Sequence, residues 1–287
     1  MKKIQVSLNN GLYIVATPIG NLQDMSFRAV QVLKNSKLII CENPSHSLKL
    51  LNEYDIKKKL VSIHDYNEEK VIDKISKDLS NSVVSLISDS GSPLVSDPGF
   101  KLVQHCIKNK IFVTSIPGPS SIISALQLSQ IPMNHFTFYG FIPKKGKQAE
   151  ELFCIAEKSV GAQIFFSSPH RLLTNLNNMK KYFVNRKITI CKELTKINEQ
   201  KISSTIEKID EKIKNDNFNI KGEFIIIVEG KFSQETNKID KKIVESLTNI
   251  SKKFSLTDAV KIVHNLTGLS KKNLYETALK KIKNKNV

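Results

Sequence analysis

The feature that most constrains this chain is a regular alternation of short apolar segments with helical segments over its first 116 residues. Runs rich in β-branched and aromatic residues predict buried strands at 12–16, 37–41, 60–63, 83–87 and 111–116. Segments whose apolar residues recur with helical spacing separate them, at 26–35, 46–54, 66–80 and 99–109. This alternation predicts a mostly parallel sheet with helices packed on its faces.

Polar loops containing proline or glycine follow several of these strands. In parallel α/β sheets, ligands bind beyond the carboxyl ends of the strands. Residues 88–99 read Ser-Asp-Ser-Gly-Ser-Pro-Leu-Val-Ser-Asp-Pro-Gly and follow the fourth strand, so we predict that they form a ligand-binding loop. Asp89 can accept a hydrogen bond, Gly91 permits close approach of the backbone, and Asp97 is predicted to cap the next helix. From the residues alone, ordinary turn positions are the alternative interpretation.

A second α/β domain is predicted to begin near residue 117. Strands are expected at 162–166, 187–191 and 223–228, and helices at 148–159, 170–181 and 239–252. Ser121 is predicted to cap a helix over 122–128, and residues 140–146 are predicted to form a basic loop.

The C-terminal segment has a different character. Two short helices within 255–283, with Gly268 ending the first and Ser270 capping the second, predict a helix-turn-helix. Residues 251–287 hold nine lysines against Asp258 and Glu276, a net charge of +7. A small structural cap is the alternative. The predicted division is 1–116 and 117–235 for two α/β domains, with a ligand cleft between them, and 236–287 for a basic, RNA-binding helical appendix.

The whole chain is strongly basic, with a formal net charge of +17. Such a charge favours a polyanionic partner, although only three of the 44 basic residues are arginine, and a lysine-rich genome composition would have the same effect. No apolar run approaches the length of a membrane span and no secretory signal is evident, so we expect a cytoplasmic protein with no membrane partner. The four cysteines and six histidines lack metal-ligand spacing, and no metal is predicted.

The usual nucleotide and nucleophile motifs are missing: there is no Walker loop, no Gly-x-Gly-x-x-Gly and no Gly-x-Ser-x-Gly. Instead, a series of motifs in fixed order resembles the tetrapyrrole methylase superfamily, and within it the branch that methylates small-subunit ribosomal RNA. The motifs that carry this resemblance are 12–22, 88–99, 117–121, 168–172, 192–196 and 221–223, and 271–275 is similar as well.

The resemblance implies two α/β domains with S-adenosyl-L-methionine (AdoMet) in the cleft between them. It implies methylation of the ribose 2′-hydroxyl of a cytidine in the decoding region of 16S rRNA, within the small ribosomal subunit, and a homodimer. The cofactor-binding residues that it implies are Pro18, Asp89, Gly91, Ser92, Pro93, Ser120, Ser121, Ser168, Leu194, Gly222 and Glu223. The expected RNA-binding residues are Lys144, Lys145, Lys147, Arg171, Lys271 and Lys272.

Methylation of a ribose hydroxyl requires in-line alignment and a group that accepts the hydroxyl proton. Four side chains are candidates for that base: Asp89, Glu193, Lys192 and His64. A lysine would need a lowered pKa to serve. The residues do not decide among the four.

One stretch departs from the branch pattern. The branch usually carries Glu-Asp-Thr-Arg after the second strand, whereas residues 42–45 read Glu-Asn-Pro-Ser. If the missing arginine contacted RNA phosphate, Lys49 or Lys57 is expected to replace it. Two other functions stay open: a methylase of a tetrapyrrole or other small molecule, which would need no basic appendix, and a catalytically lapsed RNA-binding protein.

Overall fold

The computed structural model describes residues 7–231, 241–267 and 269–283 of the chain. Two compact units are present, residues 1–230 and 231–287. Two five-stranded sheets occupy the first unit. The predicted three-part division stays a prediction, and its boundary at 235 lies outside the described residues.

The first sheet is parallel throughout, as the alternation predicts. Its strands are Gly11–Val15 (β1), Leu38–Cys41 (β2), Lys59–Ser62 (β3), Val83–Leu86 (β4) and Phe112–Ile116 (β5). Their order across the sheet is β3-β2-β4-β1-β5. The helices between them are Phe27–Asn35 (α1), Pro44–Glu53 (α2), Glu68–Asn81 (α3) and Phe100–Lys108 (α4).

Apolar side chains cover both faces of this sheet. Along β1, Leu12 packs in a cluster with residues of α3 and α4, whereas Tyr13 and Val15 pack in a cluster with residues of α1. Successive side chains of a strand point to opposite faces, so one apolar strand serves both clusters. The carboxyl ends of the strands are left as the edge where polar loops gather.

The second sheet is mixed, with one parallel strand pair and three antiparallel pairs. Its strands are Phe136–Phe141 (β6), Ala162–Ser167 (β7), Lys187–Lys192 (β8), Gln200–Thr205 (β9) and Phe224–Val228 (β10). Their order is β6-β7-β10-β8-β9, and β10 runs antiparallel to both of its neighbours. The helices of this half are Ser121–Leu128 (α5), Gly146–Ala156 (α6), Leu172–Met179 (α7) and Ile209–Asn215 (α8). Strands β6 and β9 and helix α8 were not predicted from the sequence.

Two predicted helix caps are wrong. Asp97 does not cap α4, whose N-cap residue is Gly99. The carboxylate of Glu68, buried on α3, accepts hydrogen bonds there from the N–H groups of Gly99, Lys101 and Leu102 at 2.9–3.3 Å. In α5, Ser120 rather than Ser121 is the N-cap, because its hydroxyl accepts from the N–H of Ile123.

The second unit consists of helices Lys241–Ile250 (α9), Leu256–Thr267 (α10) and Lys271–Lys283 (α11). Ser255 begins α10: its hydroxyl accepts from the N–H of Asp258 at 3.2 Å and donates to the Asp258 carboxylate at 2.6 Å. The core of the unit contains Leu247, Val263 and Leu274, one from each helix. Three helices therefore pack together here, and the helix over 241–250 belongs to this packing. Gly268, and residues 239 and 240 of the predicted helix, lie outside the described residues. Within the described part of the chain, no helix is both long and apolar enough to cross a membrane.

Candidate active site

Backbone hydrogen bonds join the loops at the carboxyl edge of the first sheet. The N–H of Thr17 donates to the carbonyl of Gly91 at 2.8 Å, and the N–H of Gly91 donates back to the carbonyl of Thr17 at 3.1 Å. Ser92 Oγ donates to the carbonyl of Pro119 at 3.4 Å. Three motifs that are far apart in sequence therefore meet at one place.

The antiparallel setting of β10 brings the second-half motifs together. Phe224, the first residue of β10, is paired with Ser167 at the end of β7 and with Lys192 at the end of β8. Gly222 and Glu223 consequently lie beside Ser168 and Glu193. A wholly parallel sheet would have put the start of β10 at the opposite edge.

A network of hydrogen bonds holds the carboxylate of Glu193. Its Oε1 accepts from the N–H of Glu223 at 2.9 Å and from Lys196 Nζ at 3.0 Å, and Lys196 also pairs with the carboxylate of Glu223 at 3.0 Å. Gly222 has a φ of +105°, and a Cβ atom there would lie 2.5 Å from Glu193 Oε1. Only glycine fits this position without displacing the carboxylate.

A cleft of about 400 Å³ lies between these two sets of loops. Nine of the expected cofactor residues line it: Asp89, Gly91, Ser92, Ser120, Ser121, Ser168, Leu194, Gly222 and Glu223. Pro18 lines an adjoining cavity instead, and buried Pro93 lines neither of the two. The volume falls in the range of small-molecule and cofactor sites. We call this space the main cleft.

Some residues of the main cleft were not identified from the sequence as ligand contacts. Phe141, Phe166 and Ile225 give it an apolar wall, with the rings of Phe141 and Phe166 packed edge to face at 5.2 Å. Phe141 was missed because it ends the unpredicted strand β6. Asp97 also lines the cleft. It stands in the 88–99 motif, but a capping role was assigned to it.

The structure separates the four candidate bases. Asp89 and Glu193 line the main cleft. Lys192 is buried outside the cleft lining, where its Nζ is 3.4 Å from Gln200 Oε1. His64 lies beyond the end of β3, exposed, with its ring 6.3 Å from that of Tyr66. The two carboxylates are thus the candidates in reach of a ligand in the cleft.

Several carboxyl groups beside the 88–99 loop have raised pKa values. Burial, together with the charges of Glu42 and Asp89, raises the pKa of Asp97 from 3.8 to about 6, against a lowering hydrogen bond with Ser88. Burial and the charges of Asp89 and Asp65 likewise raise the pKa of Glu42. Burial and mutual repulsion therefore both disfavour the negative charges on this side of the cleft.

The pKa of Glu193, by contrast, is lowered. Burial acts to raise its pKa, but the hydrogen bonds from Glu223 N–H and Lys196 and the nearby lysine charges outweigh burial and lower the pKa. A carboxylate held in this way is a weak proton acceptor and a good structural support.

Residues 42–45, which differ from the branch pattern, lie at the start of α2. The side chain of Asn43 accepts from the N–H groups of Ser45 and His46 at 3.1 and 3.3 Å, and Pro44 occupies the first turn. Asparagine at the N-cap and proline directly after it both favour helix initiation. Of the two lysines expected to replace the branch arginine, Lys49 lines the adjoining cavity, whereas exposed Lys57 follows the end of α2.

Of the expected RNA-binding residues in the first unit, the three lysines are exposed and the arginine is half-buried. Lys144, Lys145 and Lys147 are exposed around the N-terminus of α6. Arg171 is half-buried, and its guanidinium donates to the carbonyls of Ile142 and Pro143 at 2.9 and 2.8 Å and to Ser168 Oγ at 3.3 Å. These bonds hold the basic loop against the cleft, so the geometry favours a positioning role for Arg171.

The second unit carries a shallow groove of about 370 Å³. Lys261, Lys271, Lys272 and the exposed ring of Tyr275 are among its lining residues. Lysines beside an exposed aromatic ring suit the phosphates and bases of unpaired RNA.

The two-sheet fold with a ligand cleft between loop sets agrees with a known family. A family model described as Tetrapyrrole (Corrin/Porphyrin) Methylases matches residues 11–210, and the chain belongs to this family. Solved structures with the same fold include uroporphyrin-III-C-methyltransferase from Thermus thermophilus (TM-score 0.55, 15% identity, 77% of this chain and 94% of that one). Cobalt precorrin-4 methyltransferase is another (TM-score 0.56, 11% identity, 76% and 94%).

The chain is more closely similar to proteins called ribosomal RNA small subunit methyltransferase I. It is 40% identical to that of Halalkalibacterium halodurans over 216 residues, which cover 75% of this chain and 74% of the relative. It is 41% identical to that of Rickettsia prowazekii (76% and 78%) and 39% identical to that of a Hydrogenobaculum species (75% and 94%).

Proposed function

We propose that this protein is an AdoMet-dependent methyltransferase that modifies the ribose 2′-hydroxyl of a cytidine in 16S rRNA of the small ribosomal subunit. The observation that carries the proposal is the main cleft, in which serines and carboxylates face an apolar wall. The names of the relatives support small-subunit ribosomal RNA as the substrate. The basic surfaces of both units support an RNA partner.

The cleft has the donor set that AdoMet needs. Phe141, Phe166 and Ile225 suit a flat purine ring, while Ser120 and Ser168 suit hydroxyl and amino-acid groups. Asp89, Asp97 and Glu193 also line the cleft, and their carboxylates suit the positive charge of the AdoMet sulfonium. AdoMet, when bound, supplies an electrophilic methyl group on a cationic sulfur.

The residues of this chain would then orient the acceptor and take its proton. Asp89 lines both the main cleft and the adjoining cavity, which supports a role for it between the methyl donor and an acceptor hydroxyl. We assign it the role of proton acceptor. Glu193, held by Lys196 and Glu223, positions the loop that closes the cleft.

The deciding experiment maps the methyl group. Small ribosomal subunits that lack the modification are incubated with the protein and radiolabelled AdoMet, and the rRNA is digested and analysed by mass spectrometry. We expect 2′-O-methylcytidine at one position in 16S rRNA. Label on a base atom would contradict the ribose assignment, and RNA without label would contradict the proposal as a whole.

Two other outcomes identify the alternatives. Transfer of label to a tetrapyrrole but not to subunits would favour a small-molecule methylase, whose function the shared fold permits. RNA binding without AdoMet binding would indicate a lapsed enzyme. A homodimer is part of the proposal, and sedimentation equilibrium tests it.

A further inference from the structure

A second cavity, of about 320 Å³, adjoins the main cleft. We call it the side cavity. Both spaces are lined by Ile19, Asp89, Ser90 and Glu223, so these four residues form a common wall. A ligand in each space would meet the other along this wall.

Helix α2 forms one side of the side cavity. His46, Lys49 and Leu50 line it, and their spacing of three and four residues puts them on one face of the helix. The position of this face is set by the Asn43 cap and by the bond from Asn43 N–H to Asp89 Oδ1 at 3.3 Å. The start of α2 and the common wall are thus tied together.

The charges of the side cavity are unevenly arranged. Lys196 is engaged by Glu193 and Glu223. Among the residues that the structure describes, no ion pair or side-chain hydrogen bond engages Lys49 or the His46 ring. Lys49 and the His46 ring, which have no such partner, therefore line the same cavity as the carboxylates of Asp89 and Glu223.

A ligand that fits these groups carries both an anionic group and a hydroxyl group. Pro18, Leu22 and Leu50 add apolar surface to the cavity. A nucleotide within an RNA strand has these properties, since its phosphate suits Lys49, its sugar hydroxyl suits Asp89, and its base or ribose face suits the apolar residues.

We propose that the side cavity is the subsite of the acceptor nucleotide, in which Lys49 and His46 hold a backbone phosphate so that the sugar hydroxyl lies against Asp89. This inference rests on the proposed methyl transfer to RNA. It assigns phosphate recognition to α2, one turn beyond the residues that depart from the branch pattern.

The test compares two charge reversals on neighbouring segments. Lys49→Glu changes the side cavity, and Lys57→Glu makes the same change in charge at an exposed position after α2. The probe is a fluorescent single-stranded oligocytidine hexamer, titrated in the presence of S-adenosylhomocysteine at about 0.1 M salt. We expect Lys49→Glu to weaken binding about tenfold and Lys57→Glu less than about threefold. AdoMet affinity, measured by calorimetry, should be unchanged in both variants and serves as the folding control.

A hexamer containing 5-bromocytidine gives a direct readout by photo-crosslinking. We expect crosslinked peptides from residues 18–24 or 44–53. Equal weakening by the two charge reversals, or crosslinks confined to 256–283, would overturn the subsite. Failure of the proposed function can be told apart from failure of the subsite. If only the function is wrong, the hexamer binds in a Lys49-dependent way but small subunits receive no methyl group.

Discussion

The N–H of Asn43 donates a hydrogen bond to Oδ1 of Asp89 across 3.3 Å. Asn43 starts α2 and Asp89 follows β4, so this bond connects two neighbouring strand ends of the first sheet. It orients the carboxylate that lines both cavities. The donor is the backbone N–H of residue 43, so this support for the assigned proton acceptor does not depend on the side chains that depart from the branch pattern.

Asp89→Asn should lower kcat by about 100-fold or more, the usual size of a lost general base. The amide keeps the volume of the side chain and an acceptor for the Asn43 N–H, but it cannot take up the hydroxyl proton. Methyl transfer to small subunits and calorimetric AdoMet binding are the measurements, with AdoMet affinity expected to change less than about threefold. Asp65→Asn, at an exposed acid beyond β3, is the control. A kcat within about twofold of wild type would exclude Asp89 as the base.

Gly222→Ala should weaken AdoMet binding by about tenfold, because the new Cβ atom would displace the carboxylate of Glu193. The positive φ adds about 1–3 kcal/mol of backbone strain. Calorimetry and urea unfolding measure the two effects. Gly146→Ala is the matched control, since a Cβ atom there meets nothing within 4 Å. If both variants bind AdoMet like wild type, the Gly222–Glu193 contact does not shape the cleft.

Glu68→Ala should destabilise the first unit by about 3 kcal/mol, because three N–H groups at the start of α4 lose their acceptor. The neighbouring variant Glu69→Ala removes an exposed pair with Lys101 and should leave the urea midpoint nearly unchanged. Urea unfolding followed by circular dichroism distinguishes them. Similar midpoints for the two variants would show that Glu68 does not cap α4 in solution.

The raised pKa of Asp97 makes stability depend on pH. The folded protein prefers the neutral carboxyl, so this group stabilises the fold below its ordinary pKa of 3.8, and the contribution is lost as pH rises through about 6. Asp97→Asn stays neutral throughout. We therefore expect its free energy of unfolding to fall less than that of wild type between about pH 4 and pH 7. Parallel pH profiles in urea titrations would contradict the assigned pKa.

Charge reversal of Lys271 and Lys272 together should weaken binding to small subunits and reduce its dependence on salt. Each phosphate contact that is lost lowers the slope of log affinity against log salt by about 1. Reversal of Lys252 and Lys253 makes the same change in charge in the same unit, outside the groove. Equal slopes for the two double variants would indicate that the groove makes no specific contact with RNA.

The sequence was informative where local patterns decide the structure. The apolar run 38–41 is buried on both faces, and a parallel sheet follows from the alternation of such runs with helices. Edge strand β9, Gln200–Thr205, is largely polar and carries no such signal. Strand β6 was obscured because Gly140 and the basic residues after it are typical of a loop.

The sequence motifs named residues that line the main cleft, but not the contacts that bring them together. The motifs identified Asp89, Gly91 and Ser168, whereas the antiparallel direction of β10, which brings Gly222 to Glu193, depends on tertiary pairing. The cap of α4 likewise depends on a contact between residues far apart in sequence. Its acceptor, Glu68, is 31 residues before Gly99, beyond the range of any local capping rule.

The place of β10 in the middle of the second sheet has a consequence for biosynthesis. During translation the ribosome releases residues 11–167 first, and these already include the Thr17–Gly91 bridge and the serines of the first loops. The opposite wall is complete only after 222–228 have been inserted between β7 and β8. Because such distant pairing forms late, we expect a growing chain to complete the main cleft only after residue 228 has left the ribosome.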